Sequence, residues 1–262
     1  KVIDEMEVTG GAMSDALLVE LGVKAFEKTS TYDAAIYDYL KCQGAKASKC
    51  QDEFPEALQL KFKKTQDLRY GENPHQRAAF YKDESSRMSP SVSSAIQLHG
   101  KELSFNNIID LNAALEIVKE FDSPAATIIK HTNPCGTALA KTLKEAYLDA
   151  LECDKISAFG SIVGFNRIVD SSTADAILKE ADFVECIIAP GYELKALDAL
   201  KGKKNLRLME VNGFNSSLVR EFGKDMKKVV GGMLIQDRDT AGIRESDLKV
   251  VTKKKPSKAE LE

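Results

Sequence analysis

The sequence lacks the features that define several large classes of protein. Its 37 basic and 40 acidic residues leave a net charge of −3, so its charge does not favour nucleic acid or an anionic membrane surface as a partner. No apolar run approaches the length of a membrane span. The five cysteines are widely spaced, odd in number and without a CxxC pair, which favours reduced thiols and a cytoplasmic location over a disulfide framework.

The motifs of common nucleotide-binding and hydrolytic sites are missing as well. The chain has no Walker loop, no GxGxxG segment and no nucleophile elbow. Pro134 and Cys135, which follow His131, are similar to part of the zinc-deaminase signature. That signature also needs His-x-Glu and a second cysteine, but positions 133 and 138 are Asn and Ala. We therefore predict no metal site.

The first 54 residues read as a short helical segment followed by a linker. Apolar residues recur at helical spacing over 13–27 and again over 32–41, which predicts two helices. Thr31 is the predicted N-cap of the second helix. Residues 43–54 are polar and without periodicity, which indicates a linker. We therefore place a domain boundary after residue 54 and a second domain at 55–262.

From residue 92 to residue 209 the predicted strands alternate with helices. This alternation is typical of a three-layer α/β domain with a largely parallel or mixed sheet. Its first strand is predicted at 92–99 and its first helix at 110–121. Further strands are predicted outside this stretch, at 57–63, 218–222, 228–236 and 249–252.

The clearest candidate site lies at Lys130 and His131. Residues 126–129 are small or β-branched and uncharged, which predicts a buried strand, and Asn133-Pro134 predicts a turn that stops the strand ladder. Ligands collect where the strands of open α/β sheets give way to loops. His131 can accept a proton near neutral pH, and Lys130 can supply positive charge. The alternative is a lysine that extends to solvent beside a histidine that hydrogen-bonds the turn.

Three further positions are candidates for ligand binding. Arg69 offers donors suited to phosphate, and Tyr70 offers a stacking face, although an ordinary surface turn with a salt-bridged arginine has the same pattern. Gly160 lets a ligand approach the backbone, although a glycine before a strand is also common in packing. Glu185 lies in an apolar strand and needs a partner or a site. The set suits proton removal from a weak amine nucleophile on a phosphorylated heterocycle.

Six stretches carry a resemblance to one known family. They are residues 68–76, 101–107, 130–136, 154–160, 187–191 and 203–207. With these stretches in this order, the chain closely resembles the AICAR transformylase/IMP cyclohydrolase family of bifunctional purine biosynthesis enzymes. Residues 24–36 resemble the last helices of the cyclohydrolase half, and those from about 58 onward resemble the first part of the transformylase half.

The resemblance implies a fold, a reaction and a set of site residues. The fold is a cytidine-deaminase-like unit without zinc. The reaction is formyl transfer from 10-formyltetrahydrofolate, as co-substrate, to the 5-amino group of AICAR, with IMP formed on the other domain of the parent protein. Lys130 and His131 match the catalytic pair. The AICAR-binding positions match Arg69, Tyr70, His131, Gly160 and Glu185. The resemblance also implies a homodimer that shares the site across its interface.

We also expect the chain to be part of a longer protein, since it begins at Lys1 rather than Met and its last residues open a new helix. On the resemblance, residues 1–54 are the C-terminal helices of the cyclohydrolase domain and a linker. Residues 55–262 are the first part of the transformylase domain, and the second cytidine-deaminase-like unit is missing. The piece alone is therefore expected to be inactive. A non-catalytic oligomerisation or regulatory piece and a zinc nucleoside deaminase stay open as alternatives.

Overall fold

The computed structural model of the protein describes residues 1–44, 54–83, 90–214, 224–242 and 245–261. The chain divides into two compact units, Lys1–Leu60 and Lys61–Glu262, which we describe separately. Within the described ranges, no helix combines the length and the apolar character needed to cross a bilayer.

The first unit consists of helix α1 (Val2–Thr9) and helix α2 (Asp15–Gly44). The prediction of two helices over 13–41 was wrong, because α2 is continuous. No Gly or Pro interrupts the chain between the two predicted helices. The Thr31 hydroxyl donates to the Glu27 carbonyl one turn back at 2.9 Å, so it continues the helix instead of capping a new one. Part of the predicted linker, residues 45–53, lies outside the described residues.

The second unit begins with an antiparallel hairpin of strands β1 (Phe62–Leu68) and β2 (Ala78–Asp83). The strand predicted at 57–63 was misplaced, since β1 starts at Phe62. Strand β2 pairs only with residues Phe62 to Leu68. The alternating apolar residues before residue 62 therefore have no partner in β2. Leu58 and Leu60 are accordingly exposed.

Within the described residues, six strands form one mixed sheet in the order β3-β8-β7-β6-β4-β5. Strands β6, β7 and β8 run parallel, and the remaining neighbours in the sheet are antiparallel. The strands are β3 (Ile96–His99), β4 (Ala125–Lys130), β5 (Asn133–Leu139), β6 (Ser161–Phe165), β7 (Val184–Ala189) and β8 (Arg207–Glu210). The helices are α3 (Phe105–Lys119), α4 (Leu143–Cys153), α5 (Ser171–Glu180) and α6 (Leu194–Lys201).

The sheet separates two hydrophobic cores because successive strand residues point to opposite faces. One core joins the sheet to α4, α5 and α6, and the other joins it to α3. This arrangement confirms the predicted three-layer α/β class with a mixed sheet. The strand residues of the first core include Ile128, Val163, Ile187 and Leu208, and those of the second include Ile129, Ile162, Ile188 and Met209.

Helix α3 begins five residues earlier than the predicted start at 110. The Ser104 hydroxyl accepts a hydrogen bond from the Asn107 N–H at 3.2 Å, and the Asn107 side-chain oxygen accepts one from the Ser104 N–H at 3.0 Å. This reciprocal capping box starts the helix at Phe105. The strand predicted at 92–99 is a short 3₁₀ turn, Val92–Ser94, followed by β3.

The end of the chain differs most from the predictions. Residues 228–236, predicted as one strand, belong to a hairpin of β9 (Lys224–Val229) and β10 (Gly232–Asp237). Gly231 has a φ of 77° in the connecting turn, which divides the predicted strand in two. Residues 249–252 form no strand. The predicted strand at 218–222 lies outside the described residues, and helix α7 (Lys258–Leu261) follows further on.

Cys186 and Cys153 are expected to differ strongly in reactivity. Cys186 lies in β7 with no exposed surface, and its burial raises the pKa of the thiol to about 12. At pH 8 such a thiol is roughly one part in ten thousand thiolate, so we expect iodoacetamide to label Cys186 about 1,000-fold more slowly than the exposed Cys153. Peptide mass spectrometry measures both rates. Comparable rates in the folded protein would contradict the prediction, and urea serves as the control because it exposes both thiols.

Candidate functional site

The centre of the predicted site is the hairpin between β4 and β5. The expectation that Asn133-Pro134 stops the strand ladder was wrong, because Asn133 pairs with Lys130 and Pro134 with Ile129. Proline fits here because β5 is an edge strand of the sheet, where a missing N–H is tolerated. The chain therefore reverses within the two residues His131 and Thr132, which we call the 131–132 turn.

The backbone of the 131–132 turn is in an uncommon conformation. His131 has a φ of 52° and Thr132 a φ of 61°, and in the described ranges they alone have positive φ without being glycine. Two-residue hairpin turns with positive φ at both positions usually contain Asn or Gly, and a β-branched residue there is an outlier. Backbone strain of this kind is concentrated at functional sites.

Three side chains hold the 131–132 turn. The Thr132 N–H donates to Asp110 Oδ1 of α3 at 2.7 Å. The Asn133 amide and the Thr132 hydroxyl both donate to the His131 carbonyl at 2.7 Å. The imidazole ring of His131 is exposed and makes no hydrogen bond within the described part of the chain. The turn is thus fixed through its backbone, and the ring is available to a ligand.

Lys130 joins the end of β4 to the turn that precedes β6. Its ammonium donates to the Phe159 carbonyl at 2.9 Å, and its two other N–H groups have no partner among the described residues. Gly160 follows with a φ of 72°, and its N–H donates to the Phe183 carbonyl just before β7 at 2.8 Å. Gly160 is therefore needed for its left-handed backbone, and its N–H is already bonded within the protein.

The site does not lie at the edge of the sheet where ligands usually bind in parallel α/β folds. Because β4 runs antiparallel to β6, the carboxyl end of β4 lies beside the amino ends of the parallel strands β6, β7 and β8. The ligand-binding crevice of a doubly wound sheet lies instead at the carboxyl ends of its parallel strands. Only the strand directions found in the structure distinguish these two edges.

Glu185 is half-buried near the start of β7 and has a cationic partner. Its Oε1 lies 3.1 Å from Nη1 of Arg207 on the neighbouring strand β8. The Arg207 side chain is 12% exposed, and its Nε donates to the Glu102 carbonyl at 3.2 Å. Sequence reasoning placed Arg207 in a family motif without giving it a role in the site. A carboxylate in an apolar strand indicates that it has a cationic or hydrogen-bonding partner, but it does not show which residue that partner is.

Arg69 and Tyr70 form a pair at the start of an irregular turn. The Arg69 guanidinium carbon lies 5.0 Å from the centre of the Tyr70 ring, and its Nη2 lies 3.4 Å from the Tyr70 hydroxyl. Arg69 is exposed and forms no ion pair within the described residues. The Asn106 amide of α3 donates to the Glu72 carbonyl at 3.4 Å, so the turn is attached to the first turn of this helix.

These contacts connect all the predicted site residues to one edge of the sheet. Lys130, His131 and Glu185 lie at strand ends, Gly160 lies in the turn that precedes β6, and the Arg69–Tyr70 pair is attached through α3. Sequence reasoning missed Asp110 as well as Arg207, since no local pattern shows which loop a helical side chain reaches. In the part of the chain that the structure describes, no group of three or more His, Cys, Asp or Glu side chains is arranged to hold a metal ion.

The fold and the site together define an α/β protein with an imidazole and an ammonium at one edge of a mixed sheet and an exposed guanidinium near a turn that is attached to α3. The guanidinium can bind an anion such as a phosphate. The imidazole can accept a proton, and the ammonium can stabilise negative charge that develops on an oxygen. Groups of these three kinds are common in enzymes that move a proton or transfer a group on an anionic substrate.

Comparison with known proteins identifies the family. The model of the AICARFT/IMPCHase bienzyme family matches residues 1–262, and the chain belongs to this family. The bifunctional purine biosynthesis protein PurH of Thermoanaerobacter sp. (strain X514) is 46% identical over 261 residues, which are 100% of this chain and 48% of that protein. PurH of Acetivibrio thermocellus is also 46% identical over 261 residues, which cover 49% of its length. The chain thus spans about half the length of these curated relatives.

Proposed function

We propose that this chain supplies the AICAR-binding and proton-transfer part of a transformylase site. The site transfers the formyl group of 10-formyltetrahydrofolate to the 5-amino group of AICAR. The proposal rests on the placement of Lys130 and His131 at one hairpin end, where the Lys130 ammonium reaches the turn that carries Gly160. Membership of the bienzyme family supports it. In the parent protein, a cytoplasmic enzyme, IMP cyclohydrolase activity belongs to the other domain.

The proposed reaction is an acyl transfer between two nitrogens. The 5-amino nitrogen attacks the formyl carbon, and the bond from that carbon to folate N10 then breaks. The electron pair of that bond goes to N10, which takes up the proton that His131 received from the amine. His131 accepts the proton that the amine loses, because its ring is exposed and not hydrogen-bonded within the described residues. Lys130 stabilises negative charge on the formyl oxygen and on the departing nitrogen with the two N–H groups that Phe159 leaves unused.

The remaining residues bind AICAR. Arg69 binds the phosphate through its guanidinium fork, and Tyr70 orients the guanidinium. Because the Gly160 N–H is bonded to Phe183, Gly160 contacts the ligand through its carbonyl or through the space that its missing side chain leaves. Glu185 has one carboxylate oxygen on Arg207, and its other oxygen accepts from the AICAR carboxamide.

We further propose that the complete site needs a second half and a second subunit. The chain covers only about half of its relatives, so the activity requires residues beyond those present here. The test is an AICAR formylation assay on the chain alone and on the chain copurified with the part of the Thermoanaerobacter relative that it does not cover. We expect turnover only from the combination, as a homodimer. No turnover from either sample would favour a non-catalytic role, and stoichiometric zinc with AMP or adenosine deamination would favour a deaminase.

Arg69→Ala is expected to weaken AICAR binding. Loss of a charge-assisted hydrogen bond to phosphate costs about 1.5–3 kcal/mol, or roughly a 10- to 150-fold higher Kd. Isothermal titration calorimetry of the combined protein measures this change. Arg77→Ala is the matched control, because Arg77 is an exposed arginine just before β2 of the same hairpin. Equal affinity of the wild type and Arg69→Ala, or an equal loss in Arg77→Ala, would rule out the specific role of Arg69.

A further inference from the structure

Helix α3 holds two loops of the site with side chains one helical turn apart. Asn106 donates to the Glu72 carbonyl beyond the Arg69–Tyr70 pair, and Asp110 accepts from the Thr132 N–H. We propose that Asp110 is a positioning residue that maintains the strained 131–132 turn and thereby places the His131 ring for proton transfer. The effect of Asp110 on catalysis rests on the proposed function, whereas its effect on the conformation of the turn does not.

The hydrogen bond from Thr132 explains how the turn persists. The β4–β5 pairing closes at Lys130 and Asn133, so the two residues between them lie outside the strand ladder. The distance from the Thr132 N to Asp110 Oδ1 is 2.7 Å, which is short and typical of a charge-assisted bond. A β-branched residue with a φ of 61° is unfavourable by itself and persists only where surrounding contacts determine it. Asp110 supplies the contact that comes from outside the hairpin.

Asp110 is itself held by a rigid element. The next residue of α3, Leu111, and Leu115 one turn on are fully buried in the core. The helix lies directly on β6, because a Cβ placed on Gly164 would lie 3.0 Å from both the Cβ and the carbonyl oxygen of Ala114. A half-buried carboxylate on such a helix fixes the tip of a hairpin that would otherwise relax toward ordinary backbone angles.

The test compares Asp110→Ala with the double variant Asp110→Ala/Thr132→Gly. Glycine adopts positive φ without strain, so it makes the turn independent of the carboxylate. By NMR on this chain, we expect Asp110→Ala to shift the Thr132 amide proton upfield and to raise its exchange rate about tenfold. In the chain combined with the remainder of the relative, we expect kcat to fall by about 10- to 100-fold while the KM for AICAR changes little. The added glycine is expected to restore most of kcat.

Two further variants complete the design. Asp149→Ala removes an exposed carboxylate of α4 and is expected to leave both the NMR signal and kcat unchanged. Asp110→Asn keeps an acceptor of the same shape, and we expect it to lose less activity than Asp110→Ala. It also serves as the test if the alanine variant does not fold.

The outcomes separate this inference from the proposed function. An unchanged Thr132 amide in Asp110→Ala would overturn the positioning role. So would a folded double variant that recovers no kcat, since the charge of Asp110 would then matter more than the turn. If the combined wild type shows no formyl transfer, the proposed function fails, and the amide signals of the single and double variants still decide whether Asp110 holds the turn.

Discussion

His131→Ala is expected to lower kcat for AICAR formylation by about 100- to 10,000-fold in the chain combined with the remainder of a relative. General base catalysis by a positioned side chain contributes a factor of this size. The imidazole is exposed at the 131–132 turn, and its backbone is held by contacts that do not involve the ring. The substitution therefore removes the proposed proton acceptor and leaves every contact that holds the turn.

Single-turnover kinetics separates this loss from a loss of binding. We expect the Kd for AICAR to rise by less than about tenfold, because one neutral hydrogen bond is worth about 0.5–1.5 kcal/mol. His99→Ala is the matched control: His99 ends β3, and its Nε2 lies 3.3 Å from the Lys203 carbonyl. Retention of more than a tenth of the wild-type kcat by His131→Ala would assign the proton transfer to another group.

Gly136→Ala is expected to destabilise the second unit by about 3 kcal/mol or more. A Cβ at Gly136 would lie 2.0 Å from the Ala150 carbonyl oxygen and 2.9 Å from the Cβ of Cys153, both on α4. The nearest atom belongs to the backbone of a helix, so no side-chain rotation relieves the clash. Either β5 or α4 must shift in a closely packed interior, and overpacking of this kind is costly.

Urea unfolding followed by circular dichroism measures the loss of stability. Gly191→Ala is the matched control, since among the described residues a Cβ there would meet only Ile168 Cγ1 at 3.8 Å, an ordinary contact distance. We expect the control to change the free energy of unfolding by less than about 0.5 kcal/mol. If Gly136→Ala were as stable as Gly191→Ala, β5 and α4 would be packed less closely than the structure indicates.

Sequence patterns located the core elements well and the irregular ones poorly. The strand predicted at 126–129 became β4 with one more residue at each end, because a strand that is buried on both faces is almost entirely apolar and its limits are clear. The predictions failed at α2, β1 and the β9–β10 hairpin. There the limits of the elements depended on a hydroxyl that bonds within its own helix, on the residues that a partner strand pairs with, or on a turn at a glycine. Apolar periodicity reports none of these.

The sequence by itself determined the three-layer α/β class and the family, and it supplied the candidate site residues. Alternating apolar runs and the local motifs around Arg69, Lys130 and Gly160 are properties of short stretches of chain. Only the tertiary structure decided that Pro134 lies in an edge strand, that Arg207 pairs with Glu185 and that Asp110 holds the 131–132 turn. Each of these depends on strand direction or on contacts between residues that are distant in the chain, and local patterns do not encode them.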